Sequence, residues 1–138
     1  AANLHGILGS RFLEEKRLAP ALTEFREAAR LQPQAARSYL GIGSVCASQA
    51  DVETDTNRKL ALVDEAIRSF SHALELEPDN PDAHLNLGIA YLRQRHDPAK
   101  VAEQFRAYLR LVKDAPQRAQ MEETIRQMEA ARSAPTPR

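Results

Sequence analysis

Asp64 to Leu92 reads DEAIRSFSHALELEPDNPDAHLNLGIAYL. Two helical patterns meet in it. Ala66, Phe70 and Ala73 recur at the three- and four-residue steps of one helix face, and Pro78 follows them. His84, Leu87, Gly88 and Tyr91 then repeat the same steps on a second segment. Ala66 and Ala73 are small, which suits two helices in close approach, and Phe70 is expected to fill the gap between them. Pro78 lacks an N–H and cannot continue a helix, so it stops the first one just past Leu76. Gly88 is expected to let a neighbouring helix backbone come near.

Working outward, the same pattern occurs twice more. From Ala2 to Gln34 a first helix carries His5, Leu8, Gly9 and Phe12, and a second carries Ala21, Phe25 and Ala28 before Pro33. Pro20 sits in the first turn of that second helix, where its missing N–H costs nothing. A second copy opens near Ala36 with Tyr39, Ile42, Gly43 and Cys46. Gly43 follows Gly9 by 34 residues, whereas Phe70 follows Phe25 by 45. An insertion of 11 residues therefore lies between Cys46 and Ala66. The sequence predicts a polar loop from about Ala50 to Asp55, with Asp55 or Thr56 as the next N-cap. Leu60, Val63, Ile67, Phe70 and Leu74 then form one unbroken face, so this helix should start about two turns early and project.

The third copy begins at Pro81, capped by Asp79 or Asn80. Its second helix carries Val101, Phe105 and Tyr108, where Val101 and Tyr108 replace the expected alanines and the closing proline is displaced to Pro116. That departure suits a last repeat packed against something unlike itself. The candidate is a helix from Pro116 to about Arg132, with Ala119 or Met121, Ile125 and Met128 as its apolar stripe. Glu122 and Arg126 are expected to pair across its other side. The ending SAPTPR is expected to be a flexible tail.

Three copies agreeing in their Gly, Phe and Pro positions resemble the tetratricopeptide-repeat family. The resemblance covers about residues 2–113. It implies an all-α helical solenoid of three helix–turn–helix repeats, about 2–35, 36–80 with the insertion, and 81–115. A capping helix at 116–132 completes a single domain over 1–132, followed by the tail at 133–138. The implied function is a non-catalytic protein–protein interaction module, a scaffold or adaptor. In such proteins the first helices line a concave groove that holds a partner peptide or helix. By position the lining here would be Asn3, Gly6, Ser10 and Leu13, then Arg37, Leu40, Gly41 and Ser44, then Asp82, Leu85, Asn86, Ile89 and Arg93. Small residues leave room, and Leu40, Leu85 and Ile89 would form an apolar strip, with Arg37, Asp82 and Arg93 fixing register. The family's clamp for a C-terminal carboxylate uses Lys, Asn and Arg side chains. Gly6, Ser10, Gly41, Pro81 and Leu85 stand at those positions, which argues against that role. Two other readings stay open. One is a targeting or regulatory domain of a larger enzyme or secretion component, which the start without Met keeps in view. The other is a homo-oligomer formed through exposed repeat ends.

Composition narrows the classes further. The formal net charge is zero, so no general attraction to nucleic acid or an anionic surface is expected. No apolar run is long enough to span a membrane. The single cysteine, Cys46, excludes an internal disulfide and leaves cytosol and periplasm equally open. Cys46 stands at a packing position and reads as a buried, inert thiol. His5 and His84 also stand at packing positions, two repeats apart; His72 has Glu75 one turn away, and His96 and Asp97 are expected in a solvated turn. None has metal-site spacing. Gly41, Gly43 and Gly88 fall inside helices and form no phosphate loop. No catalytic residues, cofactor or metal are expected.

Overall fold

A computed structural model describes residues 1–94 and 97–133. Among the described residues, seven helices follow in order: α1 (Ala2–Glu14), α2 (Leu18–Leu31), α3 (Ala36–Val52), α4 (Thr56–Leu76), α5 (Pro81–Gln94), α6 (Pro98–Leu111) and α7 (Arg118–Ser133). No described residue is in a strand, and no described helix is long and apolar enough to cross a membrane. Arg95, His96 and the tail beyond Ser133 lie outside the described residues.

Consecutive helices pack in hairpins, α1 on α2, α3 on α4 and α5 on α6, and α7 covers α6. α1 also meets α3, and α3 meets α5. The first helices of the three hairpins thus stand side by side, as in a solenoid of repeats. The helix stops follow the sequence. α4 ends at Leu76, with the Glu77 N–H still donating to Ala73 and Pro78 beyond it. Asn80 caps α5, its Oδ1 accepting from the Ala83 N–H at 3.1 Å. Asp97 caps α6 through the Ala99 N–H at 3.0 Å, so it is a half-buried cap and not a solvated turn residue.

Gly43 and Gly88 act on rings rather than on backbones. A Cβ built on Gly88 would lie 2.5 Å from the Phe105 ring, and one on Gly43 would lie 2.5 Å from the Phe70 ring. Each glycine makes space for the aromatic ring of the helix that follows it. The close backbone approach expected at Gly88 is thereby replaced by a ring seated in the glycine's vacancy. Ala36, Ala73 and Ala83, from α3, α4 and α5, form a small buried cluster of their own.

The insertion is divided between two helices. α3 does not end near Ala50 but continues to Val52, because Ala50 is fully buried. The loop is only residues 53–55, and Asp55 caps α4 by accepting from the Arg58 N–H at 2.9 Å. α4 has 21 residues against 14 in α2 and in α6, an excess of two turns. Its apolar face is covered from Val63 onward, while Leu60 is 44% exposed near the projecting end.

The third hairpin ends against α7. Val101, Phe105 and Leu109 of α6 share one cluster with Met121 and Ile125. Met121, not the exposed Ala119, begins the stripe. α7 starts at Arg118, two residues after Pro116. The expected Glu122–Arg126 pair is not formed. Arg126 pairs with Glu123 at 2.7 Å, and Glu122 with Arg118. Arg118 is also occupied at the end of α6, where its Nη2 donates to the carbonyls of Leu109 at 2.7 Å and Val112 at 3.0 Å. Those carbonyls lack partners within the helix, and a cation there also suits the helix dipole.

Candidate interaction groove

The face built by α1, α3 and α5 carries two hollows. One, of about 250 Å³, lies between α3 and α5. Ser44 and Ala47 come from α3, and Asn86, Ile89, Ala90 and Arg93 come from α5. Val63, Ala66 and Phe70 of α4 complete it from below. Small side chains at Ala47, Ala66 and Ala90 leave the volume open. The wall is apolar except for Ser44, Asn86 and the Arg93 guanidinium. The second hollow, about 290 Å³, lies where α1 meets the start of α3, and Asn3, Gly6, Ile7 and Arg37 line it.

The sequence-predicted groove residues divide accordingly. Ser44, Asn86, Ile89 and Arg93 meet at the first hollow, and Asn3, Gly6 and Arg37 at the second. Ser10 is half-buried and donates its hydroxyl hydrogen to the Gly6 carbonyl at 3.0 Å. Asp82 is exposed beside neither hollow. Gly41 is buried under Phe25. Leu13 and Leu40 pack on the main core, and Leu85 packs on the α6–α7 cluster. The expected strip of Leu40, Leu85 and Ile89 is therefore split. Two of its members lean into different cores, and Ile89, 39% exposed, is the one left facing out. Sequence reasoning missed Ala47, Val63, Ala66, Phe70 and Ala90 as lining. The alanines were the available signal: only their small size opens the space.

Arg93 is held from α3. Its Nη2 lies 2.6 Å from Asp51 Oδ1, and its Nη1 donates to the Ala47 carbonyl at 3.3 Å. On α5's other side, Gln94 donates to Asp64 of α4 at 2.7 Å.

The reactive side chains are occupied elsewhere. Cys46 is 1% exposed, and burial above all pushes its thiol up to about 11, with the nearby Glu65 carboxylate adding to the shift. The neutral thiol is thus the folded-state form at ordinary pH. Because the folded value lies above the usual 9.0, this contribution to stability is complete below that pH and is lost as pH rises toward about 11. Native protein at pH 8 is expected to resist a maleimide at least about tenfold longer than urea-unfolded protein, since the thiolate is the nucleophile. Equal labelling rates would contradict the burial. His5 contacts Glu24 at 2.5 Å, and His84 bridges Gln104 and the Pro78 carbonyl at 2.7 and 2.8 Å. His72 pairs with Glu75 at 3.3 Å and meets the Tyr39 ring edge-on. Among the described residues, no group of three or more His, Cys, Asp or Glu could hold a metal ion.

Residues 63–94, which span the α4–α5 junction and most of the first hollow's lining, match the family model described as TPR repeat. The fold is that of a tetratricopeptide-repeat protein. Solved structures agree along the length of the chain. The Arabidopsis OM64 TPR domain is 18% identical with a TM-score of 0.75, covering 95% of this chain and 96% of that one. The TPR2B domain of yeast Sti1, solved as a pHsp70 complex, is 17% identical with a TM-score of 0.74, covering 94% and 97%. The Yersinia enterocolitica type III secretion chaperone SycD, in complex with a peptide of the translocator YopD, is 13% identical with a TM-score of 0.73, covering 95% and 94%. At these identities the likeness is one of tetratricopeptide-repeat fold. Comparison with curated proteins returned no match.

Proposed function

We propose that this chain is a non-catalytic interaction module whose α1–α3–α5 face holds a segment of a partner protein, in a scaffold or adaptor role. The observation that carries the reading is the open hollow between α3 and α5, with its apolar floor and its polar rim of Ser44, Asn86 and Arg93. An apolar side chain seated there would leave water, while the rim could bond to the partner's backbone. Two tetratricopeptide-repeat neighbours give the reading support from outside, since their structures hold pHsp70 and a YopD peptide. The non-catalytic part is supported by Cys46, whose thiol is buried and protonated, and by His5, His72 and His84, each engaged with a neighbour.

Ile89→Glu is the direct test, because Ile89 is exposed on the hollow whereas Leu40 and Leu85 also support the core. Far-UV circular dichroism and the thermal midpoint are expected to stay near wild type. Capture of the partner from source-cell extract should fall at least about tenfold, equivalent to ~1.4 kcal/mol. Equal recovery of the same partner by both chains would refute the groove as the binding surface.

A further inference from the structure

We propose that Asp51, a residue of the insertion, determines specificity at the α3–α5 hollow: by neutralising Arg93 it makes the site accept an uncharged apolar side chain and turn away an acidic one. The inference rests on the reading of this face as the partner site.

Among the described residues, Arg93 is the one charged side chain lining the hollow. Left alone, a guanidinium beside an apolar floor would favour a partner carboxylate. It is not left alone. Asp51 meets it at 2.6 Å, and the Ala47 carbonyl accepts a second hydrogen bond. Both anchors belong to the last turns of α3. An acidic partner residue would have to displace Asp51 or sit beside it as a like charge, and either is unfavourable. A neutral apolar group meets no such opposition.

The volume also indicates the kind of occupant. About 250 Å³ is below the roughly 300–1,000 Å³ of small-molecule sites. A side chain of a docked segment suits it better than a free ligand.

The insertion is what makes the pair possible. By the 34-residue shift between Gly9 and Gly43, Asp51 corresponds to Arg17 of the first hairpin. There α1 has already ended at Glu14, and Arg17 is the N-cap residue of α2. Only because α3 continues to Val52 does a carboxylate stand opposite α5. The added residues thereby alter the chemistry of the groove and not only the outline of the molecule.

Wild type, Asp51→Asn and Arg93→Gln are panned in parallel against a random-peptide phage library, with Ile89→Glu as the check that binding uses the hollow. Both Asp51 and Arg93 are exposed, so each variant is expected to keep the wild-type circular dichroism spectrum, which is checked before panning. Wild type is expected to enrich apolar peptides poor in Asp and Glu. Asp51→Asn should raise the acidic content of its selected peptides about threefold, in line with the factor that an exposed ion pair carries. Arg93→Gln should show no such rise. If Asp51→Asn and wild type select the same acidic content, or wild type already selects acidic peptides, the role of Asp51 is overturned while the groove stands. If the peptides bind Ile89→Glu as well as wild type, or nothing is enriched, the groove reading itself fails and takes this inference with it.

Discussion

Phe70→Ala is expected to lower the unfolding free energy by about 3–5 kcal/mol, the usual cost of removing a buried aromatic ring. Phe70 is 2% exposed and belongs to the cluster in which α2, α3, α4 and α5 all take part, with Phe25, Val45 and Leu87 among its members. A void there could not be closed by one helix moving alone. Against a total of about 5–15 kcal/mol, the loss would be a large fraction of the stability. It also falls in the middle hairpin, which links the other two. In a chain whose units contact mainly their neighbours, damage at the centre should separate the melting of the ends. Urea titration followed by circular dichroism is expected to show a lower midpoint and a broader transition. The same ring is part of the α3–α5 hollow, so peptides selected by wild type should bind the variant more weakly even in the absence of urea. Phe70→Leu, which keeps most of the volume, should lose about half as much or less. A loss under about 1 kcal/mol for Phe70→Ala would show that the ring does not hold the hairpins together.

The hairpins were legible because their punctuation is local. Pro78, Asn80 and the Gly–Phe spacing act within a turn or two of their own position, and the helices stop and start where these residues demand. The division of the insertion was not legible. ASQADV reads as polar, and the residue that keeps it helical, Ala50, is too small to give a strong apolar signal although it is fully buried. The groove was partly legible. The family resemblance, carried over by position, put Ser44, Asn86, Ile89 and Arg93 in the groove, and these four line one hollow. Spacing could not tell that Leu85 would lean toward the α6–α7 cluster, because that depends on where the last helix sits. Nor could it pair Asp51 with Arg93, which are far apart in sequence and brought together only by the length of α3.

Gly41→Val should destabilise the fold by about 3 kcal/mol, through overpacking of a site with no slack. A Cβ at Gly41 would stand 2.3 Å from Phe25 Cδ1, 2.4 Å from Cε1 and 2.6 Å from Cγ, along a whole edge of the ring. The ring has little room to shift, because Gly9 of α1 meets the same ring atoms, and a Cβ built there would also fall within 3.0 Å of them. Phe25 is itself 2% exposed, so swinging it outward would expose the largest buried side chain of the first hairpin. Gly6 provides the contrasting case in the same molecule. Nothing lies within 4 Å of a Cβ built there. Gly6→Ala should therefore stabilise the chain by about 0.5–1 kcal/mol, the ordinary gain of alanine over glycine inside a helix. The opposite signs separate packing from helix propensity, which favours replacing both glycines. Chemical denaturation of the two single variants measures this directly. Phe25→Leu in the Gly41→Val background should recover part of the loss, since the narrower side chain frees the space that valine needs. If Gly41→Val were as stable as wild type, the ring would have room to move, and the seating of Phe25 between α1 and α3 would be wrong. If Gly6→Ala also destabilised, the cost would belong to the helices themselves and not to the ring.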